Sequence, residues 1–249
     1  MPGNYKFNRI KYHFFSAKYG VSNYPFESLN CGLNTTDDQE KVFDNRNLVK
    51  KTIGFKNLFF LNQIHSNKVI ALKTKNCLKI NFHGDGIVTR LKNIGLSILT
   101  ADCAPVFFID NISNTVGACH AGWKGALNGI LENTIYEMLK LGALKKNIHA
   151  VIGPTIQKNS YQIKNDLEKI IKKTDIFSLD KTILVRKNKK LVFDLPLFIK
   201  NKLLVNGINK ISDINIDTYL NKNYFSHRRS MHNKIGQTGR QVSIIGLFR

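Results

Sequence analysis

The chain has 249 residues, 43% of them hydrophobic, which is enough to enclose a sizeable core and excludes a disordered chain. Its four cysteines, Cys31, Cys77, Cys103 and Cys119, are too few and too irregularly spaced for a disulfide framework. No segment approaches the roughly 18 apolar residues of a membrane span, so a cytoplasmic protein with free thiols is expected. The formal charge of +21 is spread along the chain with only modest clusters, such as RKNKK at 186–190, and no recognition motif accompanies it. Salt-dependent, non-specific attraction to polyanions is therefore expected, and no specific nucleic-acid partner.

Taken in chain order, the N-terminal stretch MPGNYKFNRIKYHFFSAKYG lacks the continuous apolar core of a signal peptide. A helical pattern follows over 40–52. Short β-branched and aromatic runs then predict strands at 58–61, 68–72, 86–89, 96–100, 106–110 and 115–119. In KGALNGILENTIYEMLKLG, Leu127, Leu131, Ile135, Met138 and Leu139 recur at helical spacing until Gly142, which predicts one helix over 124–142. A strand at 150–152, helices at 165–173 and 195–206, and a strand at 241–247 complete the pattern. This mixed order points to an α+β fold and not to a regular parallel βαβ series. Without a repeat, a low-complexity tract or a linker, residues 1–249 read as a single domain.

The runs VFFID and TVGAC flank the turn NISN. Pairing across that turn sets Asp110 opposite Thr115 and Pro105 opposite His120, with Cys103 two residues beyond. At a strand spacing of about 4.8 Å, the Cys103 sulfur and the His120 imidazole can meet at one ligand. Thiolate plus imidazole suits zinc. The bland alternative stays open beside it, since free cysteines often fill cores as small hydrophobes. Cys119 alternates to the other side of its strand and is expected to be packed away. After His120, the small residues of AGWKG turn the chain from strand into helix, leaving room for backbone amides to approach an anion.

The segments NQIHS, DGIVT, LTADCAPV, GACHAGWKG, VIGPTIQKNSYQI and NYFSHRRS, followed by GRQVSIIGL, occur in an order that resembles the laccase-domain family. That family is also known as polyphenol oxidase, peptidoglycan editing factor, or purine nucleoside phosphorylase of the zinc-dependent type. The resemblance runs from YGVSNYPFESLNCGLNTTDD to Gly246 and is most specific in TADCAP and HAGWKG. It implies a four-layer α/β/β/α sandwich with mixed sheets, related to the cytotoxic necrotising factor fold. It also implies a site of two histidines and one cysteine, which fall on His65, Cys103 and His120. Three protein ligands leave a fourth position for water or substrate, as in catalytic zinc sites. His13, His83, His149, His227 and His232 are expected to be surface or structural residues.

The resemblance further implies phosphorolysis of adenosine, inosine, guanosine and methylthioadenosine, with adenosine deamination as an additional activity. In deamination, zinc-activated water would attack C6 of the purine, and Asp102, adjacent to Cys103, is the candidate acid/base. In phosphorolysis, Lys124, Arg228 and Arg229 are candidates to hold phosphate. Two departures from the family pattern bear on that anion site. Lys124 stands where the family usually has arginine, so a bidentate grip becomes a point charge. Ala17, Lys18, Tyr19, Gly20, Val21 and Ser22 replace an arginine, a variable residue and Gly-Gly-Val-Ser. Among other classes, a multicopper oxidase needs about ten imidazoles, and seven histidines cannot supply them. A cysteine hydrolase editing peptidoglycan precursors would use Cys103 as nucleophile and His120 as base. A nucleic-acid-binding protein would lose affinity with salt and be indifferent to Cys103→Ser. The expected partners are therefore purine nucleosides and phosphate, with zinc as cofactor and no membrane.

Overall fold

The protein is described by a computed structural model that covers residues 5–7, 9–187 and 190–248, so Asn188 and Lys189 of the basic cluster lie outside the described residues. Two mixed sheets form its centre. The first has five strands in the order β1 (Tyr5–Phe7), β2 (Ile10–Phe14), β13 (Gln241–Leu247), β6 (Ile94–Thr100) and β3 (Asn57–Phe60). All of its pairs are antiparallel except β3 with β6. The second has six strands in the order β12 (Lys210–Asp213), β9 (His149–Ile152), β7 (Ala104–Asp110), β8 (Thr115–Ala121), β5 (Gly86–Thr89) and β4 (Val69–Leu72). Its two outer pairs are parallel and its inner pairs antiparallel.

The period of two along β7 explains the layering. Phe107 and Ile109 point into the core between the sheets, where Phe59, Leu96, Ile98 and Ile245 meet them. Val106 and Phe108 point the other way, into a second core roofed by α3 (Ile130–Lys140) and α6 (Leu195–Val205). Buried on both faces, β7 and β8 are nearly continuous apolar runs. That is why they read so clearly in the sequence. Also on this outer side are α4 (Asn165–Lys172), α5 (Asp175–Leu179) and the hairpin of β10 (Leu184–Lys187) and β11 (Lys190–Phe193), which add Ile171, Ile176 and Phe193 to the same core. Across the molecule, α1 (Gln39–Ile53) lays Val49 and Ile53 on the outer face of the five-stranded sheet. The Asp38 side chain caps its first turn and Gly54, at φ +82°, closes its last. The result is the expected four-layer α/β/β/α sandwich, an α+β single domain.

One predicted element is divided. The helix expected over 124–142 is α2 (Trp123–Leu127) and α3, separated at Gly129, whose φ of +96° cannot continue a right-handed helix. Leu127 and Leu131 keep helical phase across the break, so the apolar pattern alone does not reveal it. The short strands β1, β2, β10, β11 and β12, together with α5 and α7 (His227–His232), were not expected. β12 is a largely exposed edge strand and α7 reads HRRSMH, so neither carries an apolar period.

Candidate metal centre

The hairpin register is the one deduced from its turn: Asp110 pairs with Thr115 and Pro105 with His120. Asp110 pins it. One carboxylate oxygen accepts from the amides of Ile112 and Ser113 at 2.9 and 3.1 Å, and the other accepts from Leu144 at 3.0 Å. At the opposite, open end, His120 is the penultimate residue of β8 and Cys103 immediately precedes β7. His65 arrives from the 61–68 connection between β3 and β4, which crosses from one sheet to the other. Its backbone is left-handed, at φ +57°. One donor atom from each of His65, Cys103 and His120 lies within 4.8 Å of the others, and this is the single such group among the described residues. The two imidazoles meet edge to face at 4.8 Å.

Asp85 holds this group together. Fully buried just before β5, its Oδ1 accepts from the His65 amide at 3.0 Å and from His120 Nδ1 at 2.9 Å. Its Oδ2 accepts from the amides of Ile64 and Ser66 at 3.2 and 2.6 Å and from the Ser66 hydroxyl at 2.8 Å. Five donors around one carboxylate fix both the unusual backbone at His65 and the plane of His120. With Nδ1 committed to Asp85, His120 presents Nε2 to the centre. Burial raises the Asp85 carboxyl, but His120 and Ser66 outweigh it and hold it below the usual carboxylate range.

Cys103 and His120 shift each other in opposite directions, each favouring the other's charged form. Burial disfavours the Cys103 thiolate, yet the neighbouring imidazoles of His120 and His65 pull the thiol well below its ordinary value. Burial likewise disfavours imidazolium at His120, and the charges of Cys103 and Asp85 raise it. The pair is thus held as thiolate and imidazolium, and metal binding would take the thiolate directly and release the His120 proton. Cys119, one residue from His120, faces the other way into the helix-covered core, where burial pushes its thiol far up. Gly122 makes the close approach possible, because a Cβ there would stand 2.8 Å from Cys103 Sγ. The small residues of AGWKG make room for the cysteine, and the helix they enter, α2, is only five residues long.

The remaining candidates divide. Asp102, at φ +89°, uses both carboxylate oxygens structurally: Oδ1 accepts from Thr218 Oγ1 at 2.7 Å and Oδ2 from the Arg228 amide at 2.6 Å. Its carbonyl accepts from Thr155 Oγ1 and the Ile156 amide. It therefore joins the entry of β7 to α7. Arg229 commits its guanidinium to the carbonyls of Thr218, Tyr219 and Tyr224, bracing that loop. Arg228 instead lies over the Tyr161 ring at 5.3 Å and donates to the Gln162 carbonyl at 2.7 Å. Lys124 is exposed, its ammonium 5.5 Å from the Trp123 ring centre. Of the other histidines, His83 pairs with Asn62, His149 with Ser212 and His232 with Tyr219. Three neighbours were not singled out in the sequence. Asp85 opens the DGIVT segment and reads in the sequence as part of a turn. Tyr161, in VIGPTIQKNSYQI, and Arg240, in GRQVSIIGL, carry no pattern of their own. The Arg240 guanidinium, lowered by burial and countered by the charges of Cys103 and Asp102, donates through Nη1 to the Thr238 and Gly239 carbonyls.

Residues 11–248 match the family described as multi-copper polyphenol oxidoreductase laccase. The chain is 32% identical over 224 residues to a purine nucleoside phosphorylase of Rickettsia conorii, covering 90% of each chain. It is 30% identical over 249 residues to the purine nucleoside phosphorylase YlmD of Bacillus subtilis, covering 94% of this chain and 87% of that one. Among crystal structures, a Neisseria meningitidis protein matches with a TM-score of 0.86 at 28% identity, over 97% of this chain and 96% of the other. The Bacillus licheniformis protein YfiH matches with a TM-score of 0.86 at 30% identity, over 96% and 93%. The matched span takes in all three residues of the centre and nearly all of both sheets, and on that ground the chain belongs to the multi-copper polyphenol oxidoreductase laccase family.

Proposed function

We propose that the protein is a zinc-dependent purine nucleoside phosphorylase, which transfers the ribosyl group of adenosine, inosine or guanosine, or the methylthioribosyl group of methylthioadenosine, to phosphate. The observation that carries this reading is the convergence of His65, Cys103 and His120 around Asp85. The donor set fits zinc: one soft thiolate, two imidazoles, and a carboxylate fixing the tautomer of one of them. When bound, zinc would supply Lewis-acid polarisation at the fourth position.

The chain's own residues supply the rest. Asp102 acts as a positioning residue through Thr218 and the Arg228 amide, a role that departs from the acid/base assignment expected from adjacency. Arg228, held beside Tyr161, is assigned to phosphate with Lys124 at the margin, whereas Arg229 serves the loop. Positive charge placed there offsets the charge of phosphate as it approaches the ribose. Adenosine deamination is a second use of the same centre. A metal-free cysteine hydrolase is favoured by one observation, the depressed Cys103 thiol beside His120.

The deciding experiment pairs elemental analysis with chromatography of adenosine incubated with and without phosphate. One zinc per chain, with adenine and ribose 1-phosphate formed only when phosphate is present, is the expected result. Adenosine left intact, or converted only to inosine whatever the phosphate concentration, rules out the phosphorylase. Protein purified gently without metal supports the hydrolase.

A further inference from the structure

Two of the three donors reach the centre on segments that a further side chain ties together. β3 pairs with β6 as far as Phe60 opposite Ser97, while β6 itself runs on to Thr100. Beyond that last pair, the Gln63 side chain does what a strand backbone would do. Its Nε2 donates to the Leu99 carbonyl and its Oε1 accepts from the Leu99 amide, both at 2.8 Å. A primary amide suits this position because, like a peptide group, it carries a donor and an acceptor side by side. The clasp falls two residues before His65 on one segment and four before Cys103 on the other. It therefore ties the histidine's segment to the cysteine's.

The neighbouring bonds run elsewhere. Asn62 bonds through its backbone to Phe82 and Gly84 and through its side chain to His83, and Asp85 takes the amides of Ile64, His65 and Ser66. These bonds hold the 61–68 connection to the segment that enters β5 and, through Asp85, to His120. Among the described residues, Gln63 is the only one from 62 to 66 whose side chain hydrogen-bonds to the five-stranded sheet. His65, at φ +57°, has a backbone that a non-glycine residue keeps only where its surroundings over-determine it. We propose that Gln63 is a positioning residue of the metal centre: clasped to Leu99, it sets His65 against Cys103, as Asp85 sets His65 against His120. This role rests on the reading of His65, Cys103 and His120 as one metal centre.

Cobalt(II) is the probe, titrated into the metal-free protein in place of zinc, because its visible bands report coordination geometry and its near-ultraviolet absorption reports a thiolate ligand. The wild type should give the thiolate absorption together with the strong visible bands of a tetrahedral site. Gln63→Met keeps the length of the side chain and removes both hydrogen-bonding atoms. It should retain the thiolate absorption of Cys103 while the visible bands weaken and shift as water replaces His65. Zinc affinity, by competition with a chelating dye, should fall about tenfold. Gln63→Glu, which sets an acceptor against the Leu99 carbonyl, should behave alike and carries the comparison if Gln63→Met fails to give a native circular dichroism spectrum. Asp110→Ala loses hydrogen bonds at the far end of the hairpin, controls for general destabilisation and should keep the wild-type cobalt spectrum. Wild-type bands and affinity in the Gln63 variants, or an equal change in Asp110→Ala, overturn the positioning role and leave the metal centre standing. A wild type without cobalt–thiolate absorption overturns both readings.

Discussion

Asp85 bears more of the candidate site than any other single residue, because one carboxylate serves two of the three metal donors. Replacing it with asparagine preserves shape but removes the charge, and turns one of its two oxygens into a donor facing donors. Outer carboxylates of this kind typically change metal affinity by about 10- to 100-fold. Asp85→Asn should therefore weaken zinc binding by that factor in competition with a chelating dye, with the strands intact by circular dichroism. Unchanged affinity would separate Asp85 from the centre. His65→Ala with His83→Ala as control asks a different question at the same scale. Loss of His65 removes a donor and should empty the site, whereas His83 pairs with Asn62 and its loss should leave metal content near normal. Zinc kept by His65→Ala and lost by His83→Ala would mean that the third donor had been assigned to the wrong histidine.

The β7–β8 hairpin ties its two ends to different tasks, and this can be checked by striking the end away from the metal. Burial raises the Asp110 carboxyl, but the amides of Leu144, Ser113 and Ile112 outweigh it and keep it below its ordinary range. Since the folded value is depressed, this stabilisation is fully present above the unfolded carboxylate pKa and is lost as pH falls through the lower folded value. Asp110→Ala should cost about 2–4 kcal/mol at neutral pH by leaving these amides unpaired, with the deficit against wild type shrinking in acid. Zinc content should be unaffected, because Cys103 and His120 lie at the opposite end. A loss of metal without a loss of stability would contradict this division of the hairpin. The same hairpin was legible in the sequence because its strands are buried on both faces and its turn fixes the pairing. The break at Gly129 was not, since Leu127 and Leu131 keep phase across it. Nor were the short strands β10, β11 and β12, where charged residues dilute the period. His65 reached the candidate site only through family resemblance, because its approach depends on how the 61–68 connection crosses between the sheets. Asp85 was missed for a related reason: a lone aspartate before glycine reads as a turn until the chain brings Ser66 and His120 to it.

At the scale of the whole molecule, the donor group draws on both sheets. His120 lies in the six-stranded sheet and Cys103 directly before its strand β7, and His65 in the connection that leaves the five-stranded sheet. Metal held by all three would therefore clamp the crossover onto the hairpin and bind the folded state far better than the unfolded chain, in which the donors are dispersed. Linkage then couples loading to global stability: each tenfold rise in free zinc above the dissociation constant should add about 1.4 kcal/mol, worth about 3–6 °C in melting temperature for a chain of this size. Thermal unfolding followed across a zinc-buffered series should show this slope in the wild type. In His65→Ala the slope should flatten, because the two remaining donors sit on one hairpin and no longer span the crossover. Chelation should return the wild type to the melting temperature of its own apo form, with refolding on re-addition of zinc. A wild-type melting temperature independent of free zinc, or an equal slope in His65→Ala, would show that the three residues do not act together as a metal site.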